Sequence, residues 1–233
     1  MAGKPCRRSR CCKHGTREVL DRALELIASD DPRLRECALN VLGQLGVPTR
    51  TFPDECLSAT VERLNNDPDP RVLASAAIAL GHLKDPRGID ALVGRLNHGN
   101  ADVRHAVAFA LGGNSDPKSI AALMQLMTDE DTDVRDWATF GLGVQGTLDT
   151  PEIREALHRR LDDVDEETRY EAMRGLARCG DLRVARPIID AFEANPQNFD
   201  LWEPASTLLE LDDEHEELSA DALIERIRSL IGK

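Results

Sequence analysis

Val103-Arg104-His105-Ala106-Val107-Ala108-Phe109-Ala110-Leu111-Gly112 is the stretch that decides how this chain folds. Numbered 1 to 10, it reads V-R-x-x-A-x-x-A-L-G in outline, and positions 1, 5, 8 and 9 fall on one face of a 3.6-residue helix. The same frame recurs at Leu34 to Gly43, Val72 to Gly81, Val134 to Gly143 and Thr168 to Ala177, with a degraded sixth copy at Leu201 to Glu210. The ends of the five clear copies lie 38, 31, 31 and 34 residues apart. A fixed period of that size is the mark of a repeat architecture.

Between the frame helices runs a second amphipathic set: Val19 to Ile27, Cys56 to Leu64, Ile89 to Leu96, Ile120 to Met127, Ile153 to Leu161 and Val184 to Phe192. Asp85-Pro86, Asp116-Pro117 and Thr150-Pro151 place a capping oxygen just before a proline suited to the first helical turn. The frame helices are expected to start in the same way, after Asp31-Pro32 and Asp67-Pro68. The expected fold class is therefore all-α: a right-handed α-solenoid of about six antiparallel helix pairs plus a C-terminal cap helix. Residues 1–16 read as a disordered, basic, Cys-rich leader, 17–211 as the repeat array, 212–218 as an acidic connection and 219–233 as the cap helix.

Composition agrees. The chain of 233 residues is 41% hydrophobic but only 3% aromatic, with 30 Leu and 26 Ala supplying the apolar surface. That mixture favours helix over a sandwich or barrel. No apolar run is long enough to span a bilayer, and no secretory leader is visible, so the expected location is cytoplasmic. The net charge of −13 is uneven: residues 1–17 carry six cations and no acid, which leaves −19 on the remainder. A body that acidic repels phosphate backbones and favours basic protein partners.

The frame and the Lys84-Asp85-Pro86-Arg87 turn resemble HEAT-like repeats, specifically the short type found in phycobilin lyases, over about residues 17–211. This resemblance implies the solenoid but leaves function open among scaffolds, lyase subunits and hydroxylases. HEAT-like deoxyhypusine hydroxylases hold di-iron with repeated His-Glu pairs; here only His215-Glu216 makes such a pair, and His105 on a frame helix is followed by Ala106. HEAT-like DNA glycosylases need a basic concave face, which this composition lacks. Neither a G-x-S-x-G elbow nor a P-loop is present. A phycobilin-lyase-like role, handling a tetrapyrrole, would cast Phe109, Phe140, Asp136 and Arg174 as cleft residues.

Cys6, Cys11, Cys12 and His14 form C-x4-C-C-x-H in the leader, an awkward spacing for tetrahedral zinc that reads as leader rather than as a metal site. Cys37 reads as a packing residue. Frame positions 3, 6, 7 and 10 are expected to point away from the packed face and line the concave surface, with Gly43, Gly81, Gly112 and Gly143 leaving it open. On that surface His105, Phe109, Asp136, Phe140, Tyr170 and Arg174 are the candidate partner-binding residues. Trp137, at position 4, is expected to pack on the neighbouring repeat. Arg35, Arg104, Arg135 and Arg169 at position 2 are expected to be structural, pairing with turn acids such as Asp102 and Asp133. No catalytic residue, metal or cofactor is assigned. The expected function is a non-enzymatic scaffold that binds a basic protein or peptide, with a phycobilin-lyase-like subunit or an acidic inhibitor of a basic toxin or nuclease as alternatives.

Overall fold

The computed structural model describes residues 15–211 and 218–232. The leader cluster of Cys6, Cys11, Cys12 and His14, and the His215-Glu216 pair, lie outside the described residues. Among the described residues there is no strand, and thirteen α-helices account for the order. They form two compact units that meet in sequence at Leu111 and Gly112.

The first unit holds α1 (Arg17–Ile27), α2 (Pro32–Leu42), α3 (Pro53–Asn66), α4 (Pro70–Leu83), α5 (Ile89–Val93) and α6 (Ala101–Leu111). Each odd helix packs on the next even one, and the even helices stack α2 on α4 and α4 on α6. The second unit holds α7 (Pro117–Leu126), α8 (Thr132–Gly143), α9 (Pro151–Arg160), α10 (Glu166–Arg178), α11 (Ala185–Ala194), α12 (Trp202–Leu208) and α13 (Ala220–Ile231). There α8 packs on α10 and α10 on α12, while α7, α9 and α11 back their own partners and α13 closes against α11 and α12. Six helix pairs and a closing helix are what the frame predicts.

The caps explain where the helices start. Asp116 Oδ1 accepts from the Lys118 amide at 2.8 Å, Asp31 Oδ1 from Arg33 at 2.9 Å and Thr150 Oγ1 from Ile153 at 3.3 Å, each with proline in the first turn. One start differs from expectation. In Asp67-Pro68-Asp69-Pro70 the second Asp-Pro begins α4, with Asp69 Oδ1 capping Arg71 at 3.0 Å. Asp67 instead ends α3 and receives a guanidinium from the preceding repeat.

That guanidinium belongs to Arg35, whose Nε and Nη2 donate to the two Asp67 oxygens at 2.7 and 2.9 Å; its Nη1 donates to the carbonyls of Ser29 and Asp30. Arg135 repeats the arrangement on Asp163 at 3.0 and 3.0 Å, with Nη1 on the carbonyls of Asp129 and Glu130. Arg35 and Arg135 are thus structural clamps between consecutive repeats. The paired acids are Asp67 and Asp163, not ones like Asp102 and Asp133. The reason is reach: the acid five residues before the next frame lies beside the guanidinium, whereas an acid at frame position −1 sits on the first turn of its own helix.

The frame helices also face differently from expectation. Position 6 is buried in all five copies, at Leu39, Ala77, Ala108, Thr139 and Met173. Position 4 is the half-exposed one at Cys37, Ser75, Trp137 and Glu171. At about 100° per residue, positions 3, 7 and 4 form one strip about 100° wide, and position 6 lies about 60° beyond position 3. Each frame helix packs against its own partner and against neighbouring frame helices, so it buries more than a single amphipathic stripe.

Three of the position-10 glycines, Gly43, Gly81 and Gly143, leave no open surface. A Cβ on Gly43 would meet Ala79 Cα at 2.9 Å, one on Gly81 would meet Ala110 Cα at 2.8 Å, and one on Gly143 would meet Gly175 Cα at 3.1 Å. The contacted residue is position 8 of the next frame each time. These are close backbone approaches between stacked helices, and they explain why position 8 is so often Ala or Gly.

Candidate functional site

Three stacked helices of the second unit present their free strip together. α8 contributes Asp136, Trp137 and Phe140, α10 contributes Glu171 and Arg174, and α12 contributes Glu203 in its first turn. Arg174 organises the group. Its Nη1 donates to both oxygens of Glu171 at 3.0 Å, and its Nη2 lies 2.8 Å from Glu203 Oε2. Its guanidinium carbon stands 5.9 Å from the centroid of the half-buried Phe140 ring, within cation–π range. Trp137 meets the same ring edge to face, with centroids 5.7 Å apart and planes at 84°.

The electrostatics of this strip are unusual for a surface. Asp136 Oδ1 is fully enclosed and receives no hydrogen bond among the described residues, and neither does Arg174 Nε donate one. Burial pushes the Asp136 carboxyl up to about 6, and the nearby charges of Asp165, Glu167 and Asp133 push it the same way. Glu171, whose side chain is only 16% exposed, is pushed up to about 7 by burial. Arg174 pulls against that shift, while Asp136 and Glu203 add to it. The strip thus sets two carboxyls with raised titration, one of them lacking a donor at Oδ1, beside two aromatic rings.

Both carboxyls titrate above their unfolded values, so the native chain binds the extra protons between about pH 4 and 7. Their favourable contribution is present at the acid end and is lost as pH rises through that window. Asp136→Asn is therefore expected to raise the melting temperature at pH 8 and to lose most of that advantage at pH 5. Carboxyl-carbon NMR should give Asp136 a midpoint near 6. A midpoint near the ordinary aspartate value would remove the basis for this reading.

The other expected site residues divide as follows. Tyr170 does not join the strip. It is buried, donates its hydroxyl hydrogen bond to Glu166 and accepts one from Asn198 Nδ2. Its hydroxyl is tied instead to Glu166 one turn back and to Asn198 in the segment before α12. In the first unit His105 and Phe109 are half-exposed on α6. The Phe109 ring meets His82 edge to face at 5.6 Å, and its edge lies 3.3 Å from where a Gly81 Cβ would sit. Burial and the charges of Arg50 and Lys84 hold the His82 imidazole below its usual range. Glu171 and Glu203 were not anticipated from the sequence. The ring contact of Trp137 with Phe140 lies within its own helix and so does not amount to the expected packing on the neighbouring repeat; the side chain stands half-exposed on the strip.

No group of three or more His, Cys, Asp or Glu side chains among the described residues could hold a metal ion. Cys56 is buried, and burial raises its thiol to about 11, which keeps it protonated. Among the described residues no helix is long and apolar enough to cross a membrane.

A family model for HEAT repeats matches residues 57–143 and 125–199. None of the curated proteins compared matches the chain. Among solved structures, YibA of Escherichia coli is 24% identical with a TM-score of 0.70, covering 92% of this chain and 82% of YibA. An engineered protein is 22% identical with a TM-score of 0.53, over 90% of this chain and 98% of that one. In the Pds5–Scc1 complex, a matching chain is 11% identical with a TM-score of 0.55, over 92% of this chain and 38% of that one. At these identities the likeness establishes the fold, a helical-repeat solenoid.

Proposed function

The chain belongs to the HEAT-repeat family, and from that premise we propose that it is a non-enzymatic scaffold whose frame-helix strip binds a basic protein segment. The observation that carries this reading is the enclosed, unpaired Asp136 Oδ1 beside Glu171 and the Trp137–Phe140 pair. A buried carboxylate oxygen without a donor is costly. A Lys or Arg of a partner would set its charge against the half-exposed Asp136 side chain and so offset the charge enclosed at Oδ1, while its aliphatic stem covers Phe140. In the first unit the half-exposed Phe109 and His105 offer a further contact for the same kind of partner. The net charge of −13 steers basic proteins toward such surfaces and makes association faster at low salt. The Pds5–Scc1 neighbour, a complex of two proteins, is consistent with a protein-binding role.

The test is affinity capture from the native lysate with the parent chain, with Asp136→Lys and with Phe109→Glu/Phe140→Glu, the helical signal and melting of each being checked by circular dichroism. Folded variants are expected to lose the basic proteins that the parent retains. If every captured protein stays bound, the strip is not the binding face. Visible absorbance acquired on exposure to a bilin would point to the tetrapyrrole-handling alternative instead.

A further inference from the structure

A separate edge of the second unit exposes apolar side chains that the fold does not call for. Val164, in the turn before α10, is 90% exposed, and Phe199, in the turn before α12, is 80% exposed. The corresponding positions of the other repeats show how odd this is. Four residues before the frame, the earlier repeats carry Asp30, Pro68, Gly99 and Glu130 where this one carries Val164. Two residues before it they carry Pro32, Pro70, Ala101, Thr132 and Glu166 where the sixth carries Phe199. Turn geometry is satisfied by all of those, so neither Val nor Phe is there to shape the turn. Large exposed apolar side chains grouped on one edge mark contact surfaces.

Both side chains are held on fixed backbone. Arg169 Nη1 donates to the carbonyls of Asp163 and Val164 at 2.8 and 3.1 Å, and Asp165 caps α10 by accepting from the amide and hydroxyl of Thr168, each at 2.8 Å. Asn198 accepts from the Asp200 amide at 2.9 Å and donates to the Tyr170 hydroxyl. Arg169 and Tyr170, which tie down the two turns, also line an open cleft of about 340 Å³ running from the end of α9 across α10 to α11. Its floor includes Leu161 and Met173, and its rim carries Asp162, Glu166 and Asp190. Asp165, Glu167 and Asp200 add charge to the same turns. Arg169 directs a nitrogen to backbone carbonyls, and Arg186 pairs with Asp190 at 2.8 Å, so the edge stays strongly anionic.

We propose that this edge, with its cleft, is a second docking surface, and that its occupant is a lysine- or arginine-rich segment of another protein carrying bulky apolar residues. The apolar residues cover Val164 and Phe199, and the basic ones reach Asp162, Glu166 and Asp200. Charge complementarity selects this occupant. A second copy presenting the same edge would bring acid against acid, which disfavours symmetric pairing. The pre-set turns reduce the ordering cost of binding.

The test uses a short fluorescent peptide alternating Leu and Lys, with Ser–Lys and Leu–Glu peptides as controls, against the full chain. The parent should bind the Leu–Lys peptide best, with amide NMR shifts at residues 162–170 and 195–200. Val164→Ser/Phe199→Ser should weaken binding roughly tenfold, the loss of one strong apolar anchor, with melting unchanged because neither side chain is packed. Phe140→Glu should leave the shifts at residues 162–170 and 195–200 intact, whatever peptide it removes from the α8–α10–α12 strip, so failure of the edge and failure of the strip remain distinguishable. Equal binding by the double variant, equal binding of the Ser–Lys peptide, or shifts confined to the strip would each overturn the proposal. So would self-association of the chain that the double variant abolishes, since the occupant would then be a second copy.

Discussion

Arg35→Ala is expected to cost about 3–5 kcal/mol, more than the same truncation at any other position-2 arginine, because it leaves the Asp67 carboxylate buried without its partner. The Arg35 and Asp67 side chains are 10% and 0% exposed, so water cannot replace the two lost hydrogen bonds from outside. Arg63 Nη1, 3.8 Å from Asp67 Oδ2, is too far to take over as a hydrogen-bond donor. A paired Arg35→Met/Asp67→Leu chain should recover more than half of that loss, since a buried ion pair and a well-packed apolar pair are often close in free energy. Urea unfolding of the parent, the single and the double variants measures this directly. If Arg35→Ala costs no more than an exposed ion pair, under about 1 kcal/mol, the clamp is ornamental.

The second large effect is steric. Gly175→Ala places a Cβ 2.8 Å from Gly143 Cα and 3.0 Å from Leu157 Cδ1, and no rotamer choice relieves a clash with backbone. The stacked helices α8 and α10 must separate, at about 1–3 kcal/mol, and Gly175→Val should be worse. Gly99→Ala supplies the contrast: its Cβ would meet nothing within 4 Å and its φ is ordinary. There the change should be neutral or stabilise by up to about 1 kcal/mol through the unfolded chain. Comparable losses at both glycines would mean that helix stacking is not what keeps these close approaches free of a side chain.

Much of the fold was legible in the sequence because it was repeated. Five copies of one frame specify the helix pairs, and Asp-Pro and Thr-Pro specify their starts. The face was harder to read. Counting apolar residues at positions 1, 5, 8 and 9 makes position 6 look like surface, yet Leu39 and Met173 are apolar there and Ala77 and Ala108 are small. Giving position 6 to the core rotates the exposed strip onto position 4, and Glu171 and Trp137 then stand out. Tyr170 escaped because its burial comes from Asn198 and the segment after α11, which the frame does not encode. The clamp acids had a signal too. The acid lies five residues before the next frame at Asp67 and Asp163, and where position 2 is Leu73 that place holds His98. Arg169, followed by Pro196 at that place, bonds to the carbonyls of its own turn.

The glycine seam and the clamp give each repeat a leading and a trailing side that are not alike. A repeat ending in Gly43 and carrying Arg35 asks its successor for a small residue at position 8 and an acid in the preceding turn. One carrying Leu73 asks only for the former. The units of this chain therefore join like directional tiles with at least two kinds of connector. Copies spliced or duplicated in evolution or in the laboratory would be interchangeable only within a connector class, however similar their helices look.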